Sequence, residues 1–231
     1  TPPQARPSAP ADRWRYQDGA PPEPGAWSPG VTLAWAAVGP VPEAQARLLP
    51  PERRLGTPQV PLREVPAWLG VDRALVGWQA WRLQQELEPA PVLVADAGTV
   101  LSLTLVDRQG RFLGGRLMAG AALQWRAMAT GTAGLPALEV GQGGDADTPE
   151  PWPRATATAM RVGVEQGLAA AIARACDQAP GLVGLRLWIC GGDGPRLASL
   201  LRQDGRALTE APHLALEALI ALAGVSSGPD H

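Results

Sequence analysis

The stretch Val92-Leu93-Val94-Ala95-Asp96-Ala97-Gly98-Thr99 decides how this chain is read, together with Leu-Gly-Gly-Arg-Leu-Met-Ala-Gly at residues 113–120 and Gly-Thr-Ala-Gly-Leu-Pro at 131–136. An apolar strand runs into an acid, a glycine and a hydroxyl, and an amphipathic strand pair returns through a double glycine. Glycine lets backbone approach a ligand closely because it carries no Cβ. A carboxylate at the end of an apolar strand is costly unless a cation or hydrogen bonds compensate it. Such a segment brings amides and a carboxylate to a phosphate or a metal-bound phosphate. Phosphate chemistry is therefore the first expectation.

Working outward, strands are expected at about 92–96, 100–106 and 112–118, with Asp107-Arg108-Gln109-Gly110 turning between the last two. Residues 121–128 read as helix continuing into Gly131-Thr132-Ala133, and 137–154 as a loop rich in Gly, Asp and Pro. The longest helix is expected at 156–177, where Met160, Val164, Leu168 and Ile172 recur at helical spacing. Gly163 and Gly167 share one face of it and admit close approach, by a helix of the same subunit or of a second copy. A buried strand at 185–190 enters Gly191-Gly192-Asp193-Gly194, and helices follow at 195–203 and 214–223. Upstream, residues 1–30 lack periodicity and read as loop or tether. A short strand is expected at 31–38, a short helix at 43–49 stopped by Pro50-Pro51, and a helix at 73–87 ended by Pro89 and Pro91. Three strands and a helix, then strand, glycine turn and helix, make an α/β pattern.

Composition narrows the function classes. A chain of 231 residues with 45% hydrophobic content can bury a sizeable core. A net charge of −2 and a pI near 5.7 supply no basic field for nucleic acid or an anionic membrane. Every basic residue is arginine, which excludes a lysine-dependent phosphate loop, a Schiff base and a lysine general base. The two cysteines, Cys176 and Cys190, have no metal-ligand spacing and read as buried thiols. His213 and His231 are too isolated to carry chemistry. No apolar run approaches a membrane span and no signal peptide is recognisable, so a soluble cytoplasmic protein is expected.

At this point the motifs, taken in order, resemble those of the type III pantothenate kinases, described as members of the acetate kinase, sugar kinase, heat-shock and actin superfamily. Gly70-Val71-Asp72-Arg73 is similar to the family's Gly-x-Asp-Arg, and Asp96-Ala97-Gly98-Thr99 to its second phosphate motif, Asp-x-Gly-Thr. Leu113-Gly114-Gly115 through Gly120, then Thr132-Ala133-Gly134-Leu135-Pro136, resemble its Gly-Gly…Pro-Gly and Thr-Ala-x-Leu-Pro stretches. Thr156-Ala157-Thr158-Ala159 with Gly163, then Gly191-Gly192-Asp193, and Pro212-His213-Leu214 resemble its later segments. The likeness spans roughly 31–223. Three features depart from it. No Asp-x-Gly-Asn-Thr loop precedes Val31, a tyrosine before Gly70 is replaced by a Val65, Pro66 and Trp68 neighbourhood, and Pro-Gly is Ala119-Gly120. The N-terminus is accordingly expected to be incomplete or processed.

The resemblance implies an α/β fold of duplicated actin-like, ribonuclease H-like domains, the first (1–88) incomplete and the second (89–231) holding nucleotide and substrate. It implies ATP-dependent phosphorylation of pantothenate, the first step of coenzyme A biosynthesis, in a cytoplasmic homodimer using ATP with Mg2+ and a monovalent cation, K+ or NH4+. Asp72 would accept the hydroxyl proton, and Gly70, Val71, Arg73 and Thr156 would contact pantothenate, Thr156 across a subunit interface. Gly98, Thr99, Gly191 and Gly192 would contact ATP, and Asp96 the monovalent cation. Plainer readings stand beside these: Asp72 and Thr156 as helix N-caps, Arg73 as a solvated surface arginine, Asp96 in a tight turn, and Gly191 and Gly192 as a strand-to-helix turn. A non-catalytic relative serving regulation or transcription is the alternative function.

Overall fold

Side-chain alternation in the central strands sets the architecture. In the computed structural model, which describes residues 34–47, 49–138, 151–179 and 182–225, the meander forms β1 (Val92–Ala97), β2 (Val100–Val106) and β3 (Phe112–Ala119). β1 pairs antiparallel with β2, and β2 with β3. The other edge of β1 pairs parallel with β4 (Arg186–Cys190), which pairs parallel with the short β5 (Thr209–Glu210). The sheet therefore runs β3-β2-β1-β4-β5. The helices are α1 (Glu43–Ala46), α2 (Val71–Leu87), α3 (Ala121–Gly131), α4 (Thr156–Asp177), α5 (Gly194–Gln203) and α6 (Leu214–Val225).

Successive strand residues point to opposite faces, so one sheet carries two cores. Leu93, Ala95, Ala97, Leu101, Leu103 and Ile189 meet α3, α4 and α5 on one side. Val92, Val94, Val106 and Trp188 meet α2 and α6 on the other. On the first side, Glu165 of α4 is 4% exposed and pairs with Arg196 of α5 at 2.5 Å. Trp125 of α3 donates its indole N–H to Met160 O at 3.3 Å, with Arg161 stacked on its ring. On the second side, α2 is buried around most of its circumference. Its polar members are satisfied there: Trp188 Nε1 donates to Gln84 Oε1 at 3.1 Å, and Gln84 Nε2 donates to Glu88 O at 2.8 Å.

The expected strand at 31–38 does not form in its described part; residues 31–33 lie outside the described residues. Trp35 makes a single bridge to Arg54, with Trp35 N donating to Arg53 O and Leu55 N to Trp35 O. Gly39 at φ +84° turns the chain away, and the prolines that follow have no N–H to extend a ladder. The helix expected at 43–49 is only α1, ahead of Pro50 and Pro51. Most of the expected 137–154 loop and all of 1–30 lie outside the described residues. β5 went unforeseen, because two residues carry no period.

The turn joining β2 and β3 is held by Asp107, which is 4% exposed. Its Oδ1 accepts the backbone N–H groups of Gln109 and Arg111, each at 2.9 Å, and its Oδ2 accepts Arg111 Nε at 2.6 Å. Burial alone would raise the Asp107 carboxyl, but these donors outweigh it and hold the pKa below the usual carboxylate value. The stabilisation is therefore full above the unfolded-state pKa and is lost as pH falls through the lower folded value. Asp107→Asn is expected to cost about 1–3 kcal/mol at neutral pH and to flatten the acid limb of a urea-denaturation series; an unchanged acid limb would refute this account of the turn.

Candidate active site

Three segments converge at the C-terminal ends of β1 and β4, the end of an open α/β sheet where ligands bind. Leaving β1, the chain turns through Gly98 and Thr99. Leaving β4, it turns through Gly191 at φ +84°, and Asp193 N donates to Ala97 O at 2.9 Å. A Cβ on Gly191 would sit 2.6 Å from Ala97 C and 2.7 Å from Ala97 N, so only glycine fits there. At the end of β3, Gly120 N donates to Thr99 O at 2.9 Å, and a Cβ on Gly120 would meet Thr99 O at 2.9 Å. Backbone is packed directly on backbone. Thr99 and Gly192 are exposed at the mouth, and Gly98 is half-buried with open space beside its Cα.

In the sequence Asp193 is only one residue of a Gly-Gly-Asp motif, yet in the fold it links two helices. It is the N-cap residue of α5, and its carboxylate faces the Ala121 N–H at the start of α3. Burial raises its pKa, while that N–H and Arg196 draw it back. An acid after a double glycine and before a helix was the available signal.

Asp96 lies on the α2 side of the sheet, in register with Ser102 on β2 and Cys190 on β4. The Cys190 thiol faces the Asp96 carboxylate and donates to it; burial, with that negative charge, pushes the thiol pKa up and keeps it protonated. Among the described residues no cluster of three or more His, Cys, Asp or Glu could hold a metal ion. One carboxylate with a buried hydroxyl beside it suits a singly charged, oxygen-seeking cation better than a divalent cage.

The start of α2 lies on this same face. Gly70, not Asp72, is the N-cap, so the capping alternative for Asp72 is set aside. Asp72 is exposed in the first turn, its carboxylate folded against the Gly70 Cα. The Val71 side chain is 7% exposed and belongs to the core, which leaves its backbone for any ligand. Arg73 is no solvated surface residue: it is 9% exposed. Its Nε donates to Thr104 Oγ1 and its Nη2 to Leu103 O, both at 3.3 Å, and its guanidinium stands over the Phe112 ring. Burial pushes the Arg73 pKa down and Asp72 partly restores it. Two long bonds are modest compensation for a buried guanidinium with five N–H donors. Thr156 is exposed as the first residue of α4, after the N-cap Ala155, so it is not a cap either. It sits across the sheet from α2, and the fold does not bring it to Gly70–Arg73 within one chain.

Residues 54–178 match the profile of the family described as type III pantothenate kinase. The type III pantothenate kinase of Synechococcus elongatus is 34% identical over 204 residues, covering 84% of this chain and 76% of that protein. The chain belongs to the type III pantothenate kinase family. Another member, from Synechococcus sp. strain JA-3-3Ab, is 36% identical over 213 residues, covering 85% of this chain and 78% of its own length. A solved structure described as a Baf family transcriptional activator from Campylobacter jejuni superposes with a TM-score of 0.51 at 20% identity, covering 76% of this chain and 74% of that one. At that identity the likeness concerns the fold alone. In this kinase family member, then, the backbone contact of Gly191 with Ala97 is a sharp target. Gly191→Ala combines a left-handed φ costing roughly 1–2 kcal/mol with a backbone collision, and should lower stability by more than that in denaturant titration; a change below about 0.5 kcal/mol would show that the contact gives way.

Proposed function

We propose that this chain transfers the γ-phosphoryl group of ATP to pantothenate, giving 4'-phosphopantothenate and ADP, the first step of coenzyme A biosynthesis. The observation that carries the reading is that the exposed Asp72 at the start of α2 and the glycine cradle after β1 and β4 lie at one region of one sheet. Phosphoryl transfer to an alcohol needs positioning, charge screening and an acceptor for the hydroxyl proton. Asp72 takes that proton as the pantothenate oxygen forms its bond to phosphorus and the bond to the ADP oxygen breaks. Gly70 and Val71 present backbone at a helix N-terminus, where anions are favoured. Arg73, under-compensated where it lies, holds the pantothenate carboxylate. Gly98, Thr99, Gly191 and Gly192 receive the ATP phosphates and nucleoside. Mg2+ arrives on the phosphates and screens them, and a monovalent cation, K+ or NH4+, sits at Asp96.

Further parts of the proposal concern assembly. The sheet β3-β2-β1-β4-β5, with α2 and α6 on one face and α3, α4 and α5 on the other, is one half of a duplicated actin-like, ribonuclease H-like pair. A homodimer would let Thr156 of one subunit reach the pantothenate of its partner. Thr156 is exposed across the sheet from α2, and the faces of Gly163 and Gly167 meet no atom within 4 Å. Among the described residues no helix is long and apolar enough to cross a membrane, in keeping with a cytoplasmic enzyme. The regulatory alternative is not favoured, because relatives matched over most of their length are named as kinases.

The test is a coupled ADP-release assay with pantothenate and a panel of other alcohols; turnover confined to the others would overturn the substrate. Asp72 separates chemistry from structure. Asp72→Asn loses only a first-turn charge worth about 0.3–1 kcal/mol, whereas loss of a proton acceptor lowers turnover by roughly 10²–10⁴. Early melting with full turnover would make Asp72 structural.

A further inference from the structure

Among the described residues, Ser102 carries the buried side-chain oxygen that has no hydrogen-bond partner. β2 reads Val-Leu-Ser-Leu-Thr-Leu-Val, so Val100, Ser102, Thr104 and Val106 share its α2 side. Thr104 accepts from Arg73. Ser102, 7% exposed, has no such contact. An alanine would remove this unpaired group at no packing cost, so the hydroxyl is there for something the folded chain alone does not supply.

Its register partner is Asp96. Directly opposed residues on antiparallel strands hold their Cβ atoms about 4.5–5.5 Å apart on one face, yet no hydrogen bond joins Ser102 to the carboxylate. On the far side of Asp96 stands Cys190, its register partner on β4 and 4% exposed. The row Ser102, Asp96, Cys190 crosses three neighbouring strands on one face of the sheet. Gly77 seats α2 on Thr104 and Val106, at 3.1 and 3.4 Å from a Cβ built there. Beyond the start of the helix, Val100 and Leu117 are 42% and 61% exposed. Leu117 is the register partner of Ser102 on β3.

We propose that the Ser102 hydroxyl and the Asp96 carboxylate together bind a monovalent cation, with potassium as the ion to test. This rests on the reading of Asp96 given above, and adds a ligand to it. A serine hydroxyl turns between three staggered positions without moving its strand. It offers lone pairs to the ion and its proton to a neighbouring carboxylate oxygen. One negative charge and a neutral oxygen balance a single positive charge.

Thermal melts of the full chain in KCl and in tetramethylammonium chloride at equal ionic strength test this, using wild type, Ser102→Ala, Ser102→Thr and Asp96→Asn. Potassium is expected to raise the wild-type midpoint, Ser102→Ala to lose more than half of that rise, Ser102→Thr to keep it, and Asp96→Asn to abolish it. In tetramethylammonium, Ser102→Ala should melt at or above wild type. In turnover assays, its half-saturating potassium concentration should rise about ten-fold or more, the size of effect seen on losing a supporting group at a metal site. An equal potassium shift in wild type and Ser102→Ala overturns the inference, as does no shift in wild type, or early melting of Ser102→Ala in both salts. A Ser102-dependent potassium shift in a chain that does not phosphorylate pantothenate would leave the inference standing and remove the kinase assignment; turnover with potassium-insensitive melting would do the reverse.

Discussion

Asp193 donates its backbone N–H to Ala97 O at 2.9 Å, and beside that bond the Gly191 Cα rests on the Ala97 backbone. The parallel ladder of β1 and β4 ends at Asp96 and Cys190, and this contact carries the pairing one step past the strands into their turns. The rest of the site takes its position from it. α5 begins at Asp193, the carboxylate of Asp193 reaches the first N–H of α3, and Gly120 closes on Thr99 from the third side. No side chain separates these segments. The space above them is left for a ligand to fill, and a methyl group at Gly191 or Gly120 would take up the clearance on which the arrangement depends.

The sheet divides the molecule's tasks. Its α3–α4–α5 side is an apolar core, in which the buried Glu165 carboxylate pairs with the half-exposed Arg196. Its α2–α6 side is apolar where helix covers it, and polar where α2 stops: Asp96, Ser102, Thr104 and the buried Arg73 gather there. A guanidinium placed under Phe112 with two bonds of 3.3 Å is a poor stabiliser by itself. A Cβ on Gly115 would meet the Leu103 backbone oxygen and the Arg73 guanidinium together. The double glycine of β3 thus has a packing reason in addition to its conformational one.

Much of this was legible from residue order. The meander, the two long helices and the turn at Asp107 follow from period and from turn chemistry, and α4 starts and ends where its apolar spacing does. What period could not reveal was contact between distant segments. Arg73 read equally well as a surface residue, because a sequence does not say that β2 and β3 will close over it. Asp193 read as part of a turn, although its carboxylate serves another helix. Ser102 was one polar residue in an apolar strand. Its significance depends on the register that sets it opposite Asp96, and register belongs to the sheet. The strand expected at 31–38 failed for the opposite reason: local apolarity was present, but the glycine and prolines after it leave no partner ladder to join.

The parallel pairing of β1 with β4 has a consequence for how the molecule is made. The meander and α2 are local in sequence, whereas Val92 must find Arg186 and Asp96 must find Cys190 across all of α3, α4 and the segment between them. Closing a long loop loses chain entropy before any contact compensates it. A chain emerging from the ribosome therefore carries the hairpins, α2 and Asp96 well before it carries Gly191 and Asp193. The second wall of the cradle arrives only with β4, so the capacity to capture a nucleotide is acquired in one late step of synthesis and folding rather than by degrees.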